Sequence, residues 1–267
     1  MIVIYFYLYS YEIMNYNLRD WIVHYIDKLY SKELSTNKNA IELLLADKTK
    51  IDYKYLSMNK NPLVIDLWRT NIDKIDWYYI SYNKIAVPFL KEHWDEIIWD
   101  ELSANRSNEA IELLMKNPDK IDWDELSTNP IAIKLLEENP DKINWSRLSR
   151  NKNAIRLLEE NQDKIDWFRL SSNKNAIRLL EDNQDKINWN ELSCNKNAIR
   201  LLETNQDKIN WTLISGNKNA IELIKKNLDK IHWGLLSRNK NAIGILKENK
   251  DKIYWDTFAA NPKLFDI

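Results

Sequence analysis

Apolar residues return along this chain in a fixed order, with a period of 22 residues. The copy from Asp163 to Asn183 is the clearest, reading Asp-Lys-Ile-x-Trp-x-x-Leu-Ser-x-Asn-Lys-Asn-Ala-Ile-x-Leu-Leu-Glu-x-Asn. Just before it, Ala154, Ile155, Leu157 and Leu158 form a helical stripe within 152–160, and Ile165, Trp167 and Leu170 within it supply a second apolar group. This spacing predicts one helix of roughly two and a half turns followed by a return helix over 167–171, short enough to be 3₁₀. No stretch alternates with period two for long enough to predict a strand. A repeat of this length cannot bury its apolar face alone, so neighbours must stack. The expected fold class is all-α, an α-solenoid of ~22-residue units, each one helix plus a short α or 3₁₀ return helix.

Each copy is marked by its tryptophan, from Trp77 through Trp99, Trp123, Trp145, Trp167, Trp189, Trp211 and Trp233 to Trp255, with Tyr53 standing in earlier. Residues 1–30 read as an N-terminal cap and degenerate repeat, 31–254 as ten tandem repeats, and 255–267 as a truncated repeat acting as a C-terminal cap. The apolar run 1–14 lacks the basic flank and small-residue cleavage site of a signal peptide. Glu12 and Asn15 interrupt it before a membrane span of ~20 residues is reached. It reads as a cover for the first repeat. Within 9–30, Asp27-Lys28-Leu29 stands where later copies have Asp-Lys-Ile. The copies 53–76 and 99–122 have 24 residues, and the surplus in the second falls around Arg106 to Glu109. Copy 77–98 carries Pro88 inside its expected helix, where it removes a backbone hydrogen bond. Irregularity is concentrated in 53–122 and regularity in 123–254, a change of texture rather than a domain boundary.

Some polar positions never vary. Asparagine stands at 37, 59, 83, 105, 129, 151, 173, 195, 217, 239 and 261, six residues after each tryptophan position. Serine stands two residues before it, except at Ala259. The asparagine oxygen is expected to cap the following helix, and its amide to bridge to the adjacent unit as a hydrogen-bonded ladder. Pro130 and Pro262 fit the first helical position. Asn161 suits a left-handed helix end, and Asp166 an N-cap for the return helix. The Asp-Lys pairs, such as Asp163-Lys164, read as a solvated, compensating edge.

Composition narrows the function classes. The net charge is -1 with 30% charged residues, so no global field draws the chain to nucleic acid or an anionic membrane. Three glycines leave no phosphate-binding loop, and one cysteine, Cys194, leaves no internal disulfide, which fits a reducing compartment. His24, His93 and His232 lie in different units without ligand spacing, and Glu92-His93-Trp94-Asp95-Glu96 is a substituted repeat corner rather than a metal cluster. No catalytic residue, metal site, cofactor, membrane contact or small-molecule substrate is expected.

Partner recognition is therefore expected where repeats differ. These places are the two residues after each tryptophan, the residue before the fixed asparagine, and the helix position between Ile and Leu-Leu. The helix position gives a basic row of Lys134, Arg156, Arg178 and Arg200. Acids within one turn, such as Glu160, Asp182 and Glu203, are expected to pair with it and neutralise it. The row would suit phosphates or an acidic protein surface, and nucleic acid is the weaker of these readings. After the tryptophans, Tyr55, Tyr78, Tyr79 and Phe168 are aromatic anchors, or else are partly buried against the next unit.

The unit from Leu148 to Trp167 resembles the short asparagine-rich repeats of proteins encoded by giant DNA viruses of the mimivirus kind. The likeness covers nearly all of 31–267, with Lys152, Lys174 and Lys196 where that family commonly has proline. It implies a viral repeat scaffold, in the cytoplasm of an infected cell or in the virion, and carries no catalytic residues over. The expected function is a non-enzymatic scaffold for protein–protein interaction engaging host or viral proteins. The alternatives are a structural component of the virus particle and a nucleic-acid-binding solenoid using the basic row.

Overall fold

The structure, a computed structural model, describes residues 29–263. The cap expected over 1–14, His24 and most of the degenerate repeat within 9–30 lie outside the described residues. Every element among the described residues is an α- or 3₁₀-helix, and their 22-residue recurrence makes the fold an α-solenoid. The chain packs as two compact units, divided between Leu126 and Ser127.

In the second unit the repeat has three parts. A helix Ile155–Glu159 is followed by a 3₁₀ turn Gln162–Lys164 and a return helix Trp167–Ser171. The return helix is α, and the 3₁₀ geometry lies in the corner before it. As expected, Asp166 caps it, its side chain accepting from the Arg169 N–H at 3.1 Å. The first helix is shorter than the apolar stripe predicted. Asn151 accepts from the Asn153 N–H through its side chain and from the Ala154 N–H through its carbonyl, so 151–154 form a turn. Helix then starts from Ala154, which has no side-chain acceptor to offer. The fixed asparagine caps a turn, not an α-helix. Pro130 falls in the same kind of turn rather than at a first helical position.

Asn161 also departs from expectation. Its φ is -135° and ψ 51°, and no non-glycine residue among those described has positive φ. Its amide instead donates to the Leu157 carbonyl at 2.9 Å. The side chain thus supplies the donor that a left-handed backbone would otherwise present, and the costly conformation is unnecessary. Asn139, Asn183, Asn205 and Asn227 do the same in their own repeats.

Leu158 and Leu170 are fully buried, with Ala154, Leu157 and Ile165 beside them. Ile155 and Trp167 are only half-buried. The tryptophan's outer side is covered by a lysine from the following repeat. Lys164 Nζ lies 4.7 Å from the Trp145 ring centre, Lys186 4.7 Å from Trp167 and Lys208 4.8 Å from Trp189. The lysine half of each Asp-Lys pair is therefore more than a solvated edge. It stacks on an aromatic face, a contact worth about 0.5–1 kcal/mol where exposed.

The first unit repeats the plan with larger parts. Its surplus residues lengthen two helices, Val64–Thr70 and Asn108–Met115, and Ser107 caps the second by accepting from the Ala110 N–H at 3.2 Å. Trp68 and Phe89 are fully buried where the second unit has leucines, with ring centres 5.8 Å apart. Pro88 does not interrupt its helix. Val87–Glu92 begins late enough to place it at the second helical position, where a missing N–H costs nothing.

Candidate interaction surface

The fixed polar residues are consumed by the stack. From Asn59 onward the fixed asparagines are buried, and most are seen to donate through the amide to two carbonyls of the preceding repeat. In the first unit Asn59 reaches Ser35 O at 2.8 Å and Asn37 O at 3.1 Å, and Asn83 reaches Ser57 O and Asn59 O. In the second, Asn173 reaches Ser149 O and Asn151 O, both at 3.1 Å, and Asn195, Asn217, Asn239 and Asn261 repeat the pattern. This is the ladder the sequence predicts. The serine adds a second one. Ser171 Oγ donates to Trp167 O at 2.7 Å and accepts the Asn188 N–H of the next repeat at 2.9 Å. A third runs nearer the surface, where Asn175 donates to Lys152 O and Asn197 to Lys174 O, both at 2.9 Å. Among the described residues every buried side-chain nitrogen and oxygen has a partner. No fixed amide remains to read a ligand.

The variable positions carry what is left. In the basic row all four side chains are exposed. Lys134 lies 4.0 Å from Glu138, and Arg156 is held at 2.6 Å by Glu137, with Glu160 at 4.0 Å. The hydrogen bond and charge of Glu137, with Glu160 adding to them, raise the Arg156 pKa above its ordinary value. Arg178 and Arg200 make no ion pair among the described residues. The neutralisation expected from neighbouring acids thus reaches only half of the row.

The aromatic candidates divide as well. Tyr55 and Tyr79 are half-buried, and Lys32 Nζ sits 4.6 Å from the Tyr55 ring centre. Tyr78 and Phe168 are exposed, at 52% and 50%. Tyr78 packs edge-on to Tyr79 with centres 5.4 Å apart. Its hydrogen bond with Glu101 raises the phenol pKa, and partial burial pushes the Glu101 carboxyl up against the opposing effect of that bond. Met58 and Tyr82, also exposed, extend this apolar surface of the first unit from the position before the fixed asparagine.

One feature of the second unit lies outside both the basic row and the aromatic anchors. Thr128, Arg147, Arg150, Asn151 and Arg169 line an open depression of about 460 Å³. All three arginines occupy variable positions, two after a tryptophan and one before a fixed asparagine. The arginines are visible in the sequence at these positions, but only stacking brings residues 22 apart together.

The potential metal donors do not converge. His93 packs against Trp77 and Phe89, with ring centres 5.5 and 4.6 Å away, and Glu92 is paired with Arg69 at 2.7 Å. Cys194 is exposed, and partial enclosure of its sulfur, with Glu191 nearby, pushes the thiol pKa up. Among the described residues no three His, Cys, Asp or Glu side chains are grouped to hold a metal ion. No helix among them is long and apolar enough to cross a membrane.

No curated protein and no solved structure matches the chain. Residues 93–266, more than half of its length, match the family described as Periplasmic copper-binding protein (NosD), and the chain belongs to that family.

Proposed function

We propose that this protein is a non-enzymatic repeat scaffold that binds other proteins through the variable positions of its repeats. The observation that carries the reading is the saturation of the fixed polar residues. The asparagine and serine ladders use their donors and acceptors within the stack, so recognition falls to the exposed residues that differ between repeats. In the first unit these include tyrosines, and in the second a set of arginines. Both residue types are enriched where protein interfaces concentrate their energy.

The family's description names copper, and the residues do not fit it. Copper sites draw on converging imidazole and sulfur ligands. Here His93 is enclosed by aromatic rings, His232 lies in a distant repeat capping its own helix, and Cys194 stands apart. No step is derived through copper.

The repeat signature supports placing the scaffold in a virus-infected cell, as an adaptor for host or viral proteins, or in the particle itself. Stoichiometric amounts in purified particles would favour the particle component. A second reading, nucleic-acid binding, draws on the exposed and unpaired Arg178 and Arg200. The test is affinity purification with the full chain as bait, beside a variant carrying Tyr78→Ala, Phe168→Ala and Arg178→Glu. The expected result is a changed set of partners at an unchanged melting temperature. An identical set, or a salt-sensitive complex with random oligonucleotide as the only product, contradicts the scaffold reading.

A further inference from the structure

We infer that the arginine-lined depression of the second unit is a binding site for the carboxylate side chains of an acidic peptide segment. The inference rests on the scaffold reading above and gives it a ligand chemistry. Arg147, Arg150 and Arg169 come from two successive repeats and meet over a floor made by Asn151. The floor is rigid, because the Asn151 amide is tied to Ser127 O and Asn129 O at 3.0 and 3.1 Å and its oxygen closes the turn to Asn153. One of the walls is held in place by its own helix. Arg169 is held at Nε by Asp166 at 3.3 Å, which leaves the terminal amino groups of its guanidinium as donors. Asp166 is in turn fixed by Ser146 Oγ at 2.6 Å and the Arg169 backbone N–H. Partial burial pushes the Asp166 carboxyl up, and these bonds together with the Arg169 charge outweigh it, so the anchor stays ionised at neutral pH. Arg150 is exposed and makes no ion pair among the described residues. The site thus gathers three guanidinium groups, one of them oriented by Asp166, and guanidinium geometry suits carboxylates and phosphates.

The surroundings favour a short acidic peptide over a polyanion. One repeat further along the same row, arginine gives way to Glu191, so the positive stretch in this unit covers two repeats, ~20 Å at the usual helix spacing. A nucleic-acid strand that neutralises six or more phosphates, roughly the number a tight binder contacts, would run onto that carboxylate. Beside Arg169 in the same helix stands the half-exposed Phe168, an apolar contact for a residue flanking the acidic group.

The test probes an array of immobilised peptides of varied composition with the full chain, then measures the selected peptides by fluorescence anisotropy. The variants are Arg150→Glu, Arg169→Gln and the control Lys247→Glu, an exposed cation of a distant repeat, each checked for an unchanged melting curve. Selection of Asp- and Glu-containing peptides is expected, with affinity falling about tenfold or more in Arg150→Glu and Arg169→Gln, unchanged in Lys247→Glu, and lost when the peptide acids become Gln or Asn. Selection of peptides that are not acidic, or acidic peptides insensitive to Arg150→Glu, overturns the inference while leaving the scaffold reading in place. Selection of no peptide at all removes both. Binding of random oligonucleotide that Arg150→Glu abolishes assigns the pocket to phosphate and overturns it as well.

Discussion

The two units are built on the same ladder but differ in what surrounds it. In 127–263 the repeats keep one length, the core is mostly leucine, and the tryptophans from Trp145 to Trp233 are half-buried under a lysine. In 29–126 two repeats are longer, Trp68 and Phe89 replace core leucines, and Trp77 stacks on Phe89 at 5.6 Å. Yet Asn83 and Asn173 make equivalent bonds to the repeat before them. The comparison separates two roles within one motif. Register between repeats is set by the fixed-asparagine ladder, which both units keep, while the apolar filling adapts to the space available. Surplus residues are accepted where helices begin, at Ser107 and around Asn61 to Leu63, because the fixed asparagines and serines lie outside that segment.

The largest difference between the units should appear at Trp68. Trp68→Ala empties a fully buried site and forfeits the Nε1 bond to Leu56 O, costing about 3–5 kcal/mol by urea unfolding. Trp189→Ala, half-buried at a position every repeat shares, should cost clearly less. Equal losses would mean that the filling of the first unit is not special. Next in size is Ser171→Ala, which leaves the Asn188 N–H without its acceptor and should cost about 1–3 kcal/mol. Ser57→Ala in the first unit should cost the same, since Ser57 accepts the Asp76 N–H at 2.9 Å. A twofold disparity would break the claim of a common ladder. The smallest effect is expected at Pro88. At the second helical position Pro88→Ala should change stability by less than ~1 kcal/mol, whereas a proline inside a helix would cost ~3 kcal/mol relative to alanine. A large stabilisation in thermal melting would show the helix to start earlier than Val87.

The period of the chain made the α-solenoid, the bridging amide of the fixed asparagine and the Asp166 cap legible from sequence, because each follows from local chemistry repeated identically. Helix starts were not. Asparagine is a good acceptor for either a helix or a turn, and the backbone bond from Ala154 to Asn151, which decides between them, leaves no compositional trace. Asn161 was misread for a related reason. Its tolerance of the left-handed region is a permission, and the structure uses its amide instead. The lysine–tryptophan stacking and the arginine depression were hidden because both join residues roughly one repeat apart in sequence. Such contacts become visible only when two copies are laid against each other. The basic row was correctly located on the exposed helix face, but the pairing of its members depends on acid rotamers that spacing does not determine.

The central claim is that the fixed asparagine holds neighbouring repeats together through its amide. Asn173→Asp tests it most directly, because it keeps the shape and the oxygen that accepts from Asn175 but turns the donor into a carboxylate facing two buried carbonyls. Urea denaturation should show a loss of about 3 kcal/mol or more, larger at pH 8 than at pH 4, where protonation restores one donor. A stability within about 0.5 kcal/mol of the parent chain at both pH values would contradict the account.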